Sequence, residues 1–108
     1  MLGRESVVVE VEEKARREVG AALIVDDDLD TLRLVGLMLQ RQKYQVSAAS
    51  NGSQGLTKAL EERPDLILLD DMMPDMDGYE VTRRLRKNPA TAAIPILMFT
   101  AKTQLDDK

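Results

Sequence analysis

Residues 64–78 read PDLILLDDMMPDMDG, from Pro64 to Gly78. A short apolar run, Leu66 to Leu69, ends on two adjacent carboxylates, Asp70 and Asp71. Two methionines, a proline and a turn-forming PDMDG follow. An apolar run of this length, bounded by a proline on one side and turn residues on the other, predicts a strand covered on both faces. Such a strand delivers whatever follows it to one edge of an open α/β sheet, where sites of this architecture are built. The remaining chain is therefore read as scaffold around that acid, together with any second polar cluster that meets it in space.

Composition narrows the chemistry. At 108 residues the chain supports one domain, and with 44% apolar and 31% charged residues it is expected to be globular. Two tyrosines, one phenylalanine and no tryptophan leave an aliphatic core. There is no cysteine and no histidine, which excludes disulfides, thiol chemistry, serine–histidine catalysis and most zinc sites. A formal net charge of −4 argues against direct contact with nucleic acid in this chain. No long apolar stretch is present, so neither a signal peptide nor a membrane span is expected, and the cytoplasm is the expected location.

Three further apolar runs flank the opening stretch. Ala21–Val25 (AALIV) runs into Asp26-Asp27-Asp28, and Asp28 or Asp30 is placed to cap a helix reaching Gln42, with Leu32, Val35, Gly36 and Leu39 facing inward. Tyr44–Ala49 is a weaker strand, Asn51-Gly52 a turn, and Ser53–Arg63 a helix with Leu56, Ala59 and Leu60 as its apolar positions. After Gly78, Tyr79–Lys87 is a helix with Val81 and Leu85 on one face, and Asn88-Pro89 ends it. Ile94–Phe99 is a fourth strand running into Thr100. The alternation β-α-β-α-β-α-β requires parallel strands joined by right-handed crossovers. Asp26, Asp27, Asp70 and Thr100 would then converge at the carboxyl edge.

Clustered carboxylates repel, and a hard divalent cation such as Mg²⁺ is the simplest reason to gather them. With the cation bound, one acid can attack a phosphoryl donor, and a hydroxyl such as that of Thr100 can hold a phosphoryl oxygen. Taken alone, the Asp26–Asp28 run is equally an N-cap cluster favourable to the helix dipole. Two competing motifs fail on spacing. A calcium loop with Gly78 at its sixth position would need carboxylates at Met73 and Arg84. A haloacid-dehalogenase-type phosphohydrolase would need a general acid two residues after its nucleophile, where Met72 or Met73 stands.

IVDDD, PDLILLD with MMPDMDGYE, and IPILMFTA, in that order and at these separations, resemble the receiver domain of two-component response regulators over about Ala21 to Lys108. The resemblance implies a flavodoxin-like (CheY-like) doubly wound parallel sheet and a non-enzymatic signalling module. It also implies a histidine kinase or phosphotransfer protein as phosphodonor partner. It assigns Asp70 as phosphoacceptor, Asp27 as direct Mg²⁺ ligand, Asp26 as water-mediated ligand, the Met72 backbone carbonyl as a further ligand, and Thr100 as the switch hydroxyl. Receivers continue with a fourth helix, a fifth strand bearing a lysine that pairs with the phosphoryl group, and a fifth helix. These would lie beyond Lys108, so the resemblance implies a sheet incomplete at its C-terminus. Lys102 either reaches the site or is solvated, and Asp71 either adds to the local charge or faces water.

Residues 1–20 read as a separate N-terminal extension, strand-like at Val7–Val11 and then helical, with Val11, Ala15 and Val19 four residues apart. It is either a solvated leader or a segment that packs over the incomplete edge. Packing could occur within its own chain or, as a homodimer, on a second copy. The alternative to a phosphoacceptor is a pseudo-receiver, a protein-interaction or dimerisation module with impaired phosphorylation.

Overall fold

A computed structural model of the protein describes residues 20–99. Four strands, β1 (Ala21–Val25), β2 (Gln45–Ala49), β3 (Leu66–Asp70) and β4 (Ile96–Phe99), alternate with three helices, α1 (Leu29–Arg41), α2 (Gly52–Glu62) and α3 (Gly78–Lys87). All strand pairs are parallel and the sheet order is β2-β1-β3-β4. That order reverses direction between β1 and β3, the topological switch point of a flavodoxin-like sheet. The expectations for the N-terminal extension, for Thr100 and for Lys102 lie outside the described residues.

The central strands are aliphatic because both their faces are covered. Leu23, Val25, Ile67 and Leu69 point into one layer with Ala49, Ala59, Val81 and Leu85, and all are buried. Ala22 and Ile24 alternate to the other face, where α1 packs. The close approach of α2 to β1 depends on Gly55, since a Cβ there would stand 2.9 Å from both methyl groups of Val25. Leu32, Val35 and Leu39 of α1 are half-buried and Gly36 is fully buried, as their spacing predicts.

Beyond one-residue shifts at the helix ends, four boundaries or roles differ from the sequence reading. The fourth strand begins at Ile96 rather than Ile94, because the Ile94 N–H closes a turn on the Thr91 carbonyl (3.1 Å). The Arg86 guanidinium takes the Ile94 carbonyl (2.7 Å), and sheet pairing starts only with the Pro95 carbonyl, which accepts from the Ile67 N–H. Tyr44 precedes β2 rather than opening it, its N–H being tied to the Leu39 carbonyl (3.1 Å). Leu60 is an exposed position of α2 rather than one of its inward-facing residues. Asp28 occupies the N-cap of α1, but its carboxylate accepts the Thr31 hydroxyl (2.6 Å) and no backbone N–H of the helix. The Asp28 N–H itself donates to the Asp26 carboxylate (2.9 Å).

Candidate functional site

The register of the central strands builds the site. Val25 of β1 lies beside Leu69 of β3, so the next residues, Asp26 and Asp70, leave the sheet side by side. Asp26 is anchored by its N–H to the Ala49 carbonyl (3.0 Å), and Asp70 remains in register with Phe99 of β4. One carboxylate oxygen from each of Asp26, Asp27 and Asp70 lies within 4.8 Å of the other two. Asp26 and Asp70 are 1% and 0% exposed, while Asp27 opens to solvent. Three acids predicted to converge thus do converge, and the pocket is buried on two sides and open on the third.

The electrostatics of that pocket favour a cation. Two unit charges at such a separation repel by roughly 3–4 kcal/mol at an effective dielectric near 20. A counter-charge in the pocket would offset that repulsion. The donors are hard carboxylate oxygens, with no histidine or cysteine in the chain. That set suits Mg²⁺, which takes few protein oxygens and keeps several waters, and it suits the soft transition metals poorly. The residues present therefore fit the ion that the sequence implies.

The loop from Asp71 to Asp77 closes one side of the edge. Its two ends meet where the Gly78 N–H donates to the Asp71 carbonyl (3.1 Å) and the Asp71 N–H donates to Phe99 (3.2 Å). Gly78 is required there. A Cβ would fall 2.8 Å from the Asp70 carbonyl oxygen and 2.9 Å from the Asp71 Cα, both backbone atoms that cannot yield. Met72 lies in this loop, two residues after Asp70, and its side chain is about half exposed (51%). Asp71 is half-buried, with one carboxylate oxygen enclosed and no hydrogen bond made to it by the described residues.

The remaining acids of PDMDG have structural employment, which spacing alone did not reveal. Asp77 caps α3, accepting the Glu80 N–H (2.9 Å). The D-G-Y-E order, with an acid at the N-cap and glutamate three residues later, was the available signal. Asp75 reaches across to α2. Its carboxylate accepts the N–H groups of Gly52 (2.8 Å) and Ser53 (2.9 Å), and that of Met76 (2.9 Å). The N–H bonds from Ser53 and Gly52 hold its carboxyl below the ordinary aspartate range. No local pattern could have found this, since the partners are 22 and 23 residues away. Glu80, doubly bonded by Arg84 and Arg83, is also held below its ordinary range.

A doubly wound β2-β1-β3-β4 sheet with an acidic pocket at the ends of β1 and β3 defines a CheY-like α/β module. Residues 22–108 match the family described as response regulator receiver domain, and the chain belongs to that family. It is 41% identical over 86 residues to protein PilH of Pseudomonas aeruginosa, covering 80% of this chain and 71% of that one. It is 45% identical over 86 residues to the DNA-binding dual master transcriptional regulator RpaA of Synechocystis, covering 80% of this chain but 36% of the regulator. Among solved structures, the response regulator TrrA of Thermotoga maritima in complex with Mg²⁺-BeF superimposes with a TM-score of 0.72 at 32% identity, covering 78% of this chain and 71% of that one. The chain thus spans most of PilH and about a third of the larger transcriptional regulator.

Proposed function

We propose that the protein is a phosphoacceptor module of a two-component relay. Asp70 takes a phosphoryl group from a histidine kinase or phosphotransfer protein in the cytoplasm. The observation that carries this reading is the gathering of the Asp26, Asp27 and Asp70 carboxylates within 4.8 Å, with Asp70 wholly enclosed at the end of β3. In this reading Asp27 binds Mg²⁺ directly, Asp26 holds it through water, and Asp70 and the Met72 carbonyl complete the protein ligands. The ion offsets the charge of carboxylate and incoming phosphoryl group alike. A carboxylate oxygen of Asp70 forms the new bond to phosphorus as the bond to the donor breaks. Thr100, next in sequence after Phe99 at the end of β4, is assigned the switch hydroxyl. The Mg²⁺-BeF complex of TrrA supports the reading by likeness of sequence and fold.

The test is incubation with Mg²⁺ and a small phosphodonor such as acetyl phosphate, followed by intact-mass measurement. A single phosphoryl adduct that needs Mg²⁺ and is lost in Asp70→Asn is expected. No adduct on the wild-type protein, or the same adduct on the variant, would leave an interaction module that does not accept phosphate on Asp70.

A further inference from the structure

The loop that carries Met72 packs on the core through Met73 and Met76. Its ends are closed on each other by the Asp71–Gly78 contact, and its far side is fastened to a different element, the first turn of α2. Two features make that fastening. Asp75 accepts two backbone N–H groups of the helix, and Met76 lies directly over Gly52, where a Cβ would stand 2.4 Å from Met76 Cγ and 3.2 Å from its Sδ. Asn51 caps the same helix from within, accepting the Gln54 N–H (2.8 Å), so α2 already has its own local cap. Asp75 satisfies two further N–H groups of that turn, and because it does so from the loop it also fixes the distance between the loop and the body of the domain.

We propose that Asp75 is a positioning residue for the cation site. By clamping the Asp71–Asp77 loop on α2, it holds the Met72 backbone carbonyl where the cation needs it, without touching the ion. The inference rests on the reading of Asp26, Asp27, Asp70 and Met72 as the Mg²⁺ ligands. Without Asp75 the seven-residue loop would keep only its closed ends and the packing of Met73 and Met76, and ordering the remainder at the moment of binding would cost conformational entropy. A pre-tied loop has lost that freedom already, which is how partners outside the ligand shell raise metal affinity. Gly52 belongs to the same device, because a Cβ there would displace the Met76 side chain that packs over it and crowd Val81.

Calorimetric titration with Mg²⁺ alone, without phosphodonor, tests this on the full chain. Asp75→Ala is expected to weaken Mg²⁺ binding about tenfold, as outer-shell partners commonly do. Asp75→Asn, which keeps an acceptor oxygen, should recover part of the loss. Gly52→Ala should weaken binding in the same direction, and the double variant should lose less than the product of the two single effects, since both release one loop. By reciprocity, Mg²⁺ should slow hydrogen exchange of the loop amides more in Asp75→Ala than in the wild type. Wild-type-like Mg²⁺ affinity in Asp75→Ala, with only a lower melting temperature, would reduce Asp75 to a cap and overturn the inference. A wild-type protein that binds no Mg²⁺ would overturn the ligand assignment and this inference together. Mg²⁺ binding that depends on Asp75 without any phosphoryl uptake would sink the phosphoacceptor reading alone.

Discussion

The acids at the carboxyl edge fall into two groups that differ in what faces them. Asp75 and Asp77 are met by backbone N–H groups at the starts of α2 and α3, so their charge is spent on holding helices and loop together. Asp26, Asp27 and Asp70 bring their carboxylates close to one another, and Asp26 also accepts the Asp28 N–H. The first group stabilises the fold by being charged. The second bears a cost for being charged, a cost that a cation or a phosphoryl chemistry would turn to use. Residue type is the same in both groups; the sign of the energetic effect of each carboxylate is set by its neighbours.

Substitutions that separate the groups should differ in sign as well as size. The largest effect is expected for Asp70→Asn, which should abolish phosphoryl uptake from a small donor while leaving the fold intact, as read by circular dichroism. Next, neutralising Asp26 (Asp26→Asn) should raise the stability of the metal-free protein by about 1–3 kcal/mol through relief of repulsion. Asp77→Ala should lower it by about 1 kcal/mol through loss of the α3 cap. Chemical unfolding in the presence of a chelator reads both.

Smaller, and dependent on pH, is the contribution of Asp75. Its folded-state pKa is depressed by the Ser53 and Gly52 N–H groups. Its stabilisation is therefore fully present above the ordinary aspartate range and lost as the pH falls through the folded-state value. Because the carboxylate is exposed, Asp75→Asn should cost less than about 1 kcal/mol near neutral pH. That deficit should shrink as the pH falls below the ordinary aspartate range and vanish below the folded-state value; a deficit that persists below that value would mean the charge is not the source. Smallest of all, Asp30 and Arg33 of α1 stand 3.9 Å apart with side chains 91% and 77% exposed. Asp30→Asn should change stability by less than about 0.5 kcal/mol, showing that an acid meeting only solvent and a loose partner belongs to neither group.

Much of this was legible in the sequence, and the reasons are physical. Buried parallel strands must be continuous apolar runs, so AALIV and LILLD announced themselves, and the polar residue after each was bound to reach the same edge. The half-buried stripe of α1 followed from helical spacing. Three exposed apolar residues on its outer side, Leu34, Leu37 and Met38, had no place in that stripe. The start of β4 was misplaced because Ile94 and Pro95 look like strand residues, while their backbone groups are engaged by Thr91, Arg86 and β3. The role of Asp75 was illegible because a carboxylate that caps a helix 23 residues earlier leaves no spacing to read. Long-range polar contacts belong to the tertiary structure, and periodicity does not encode them.

The carboxylate of Asp70 lies close enough to those of Asp26 and Asp27 to be repelled by them, and a bound cation would offset that charge. Thermal unfolding of the wild type and Asp70→Asn, each with chelator and with Mg²⁺, tests it most directly. The prediction is a crossover: with chelator the variant melts higher, and with Mg²⁺ the wild type gains most and overtakes it. A variant that melts below the wild type under both conditions by the same margin, with no effect of Mg²⁺ on either, would contradict it.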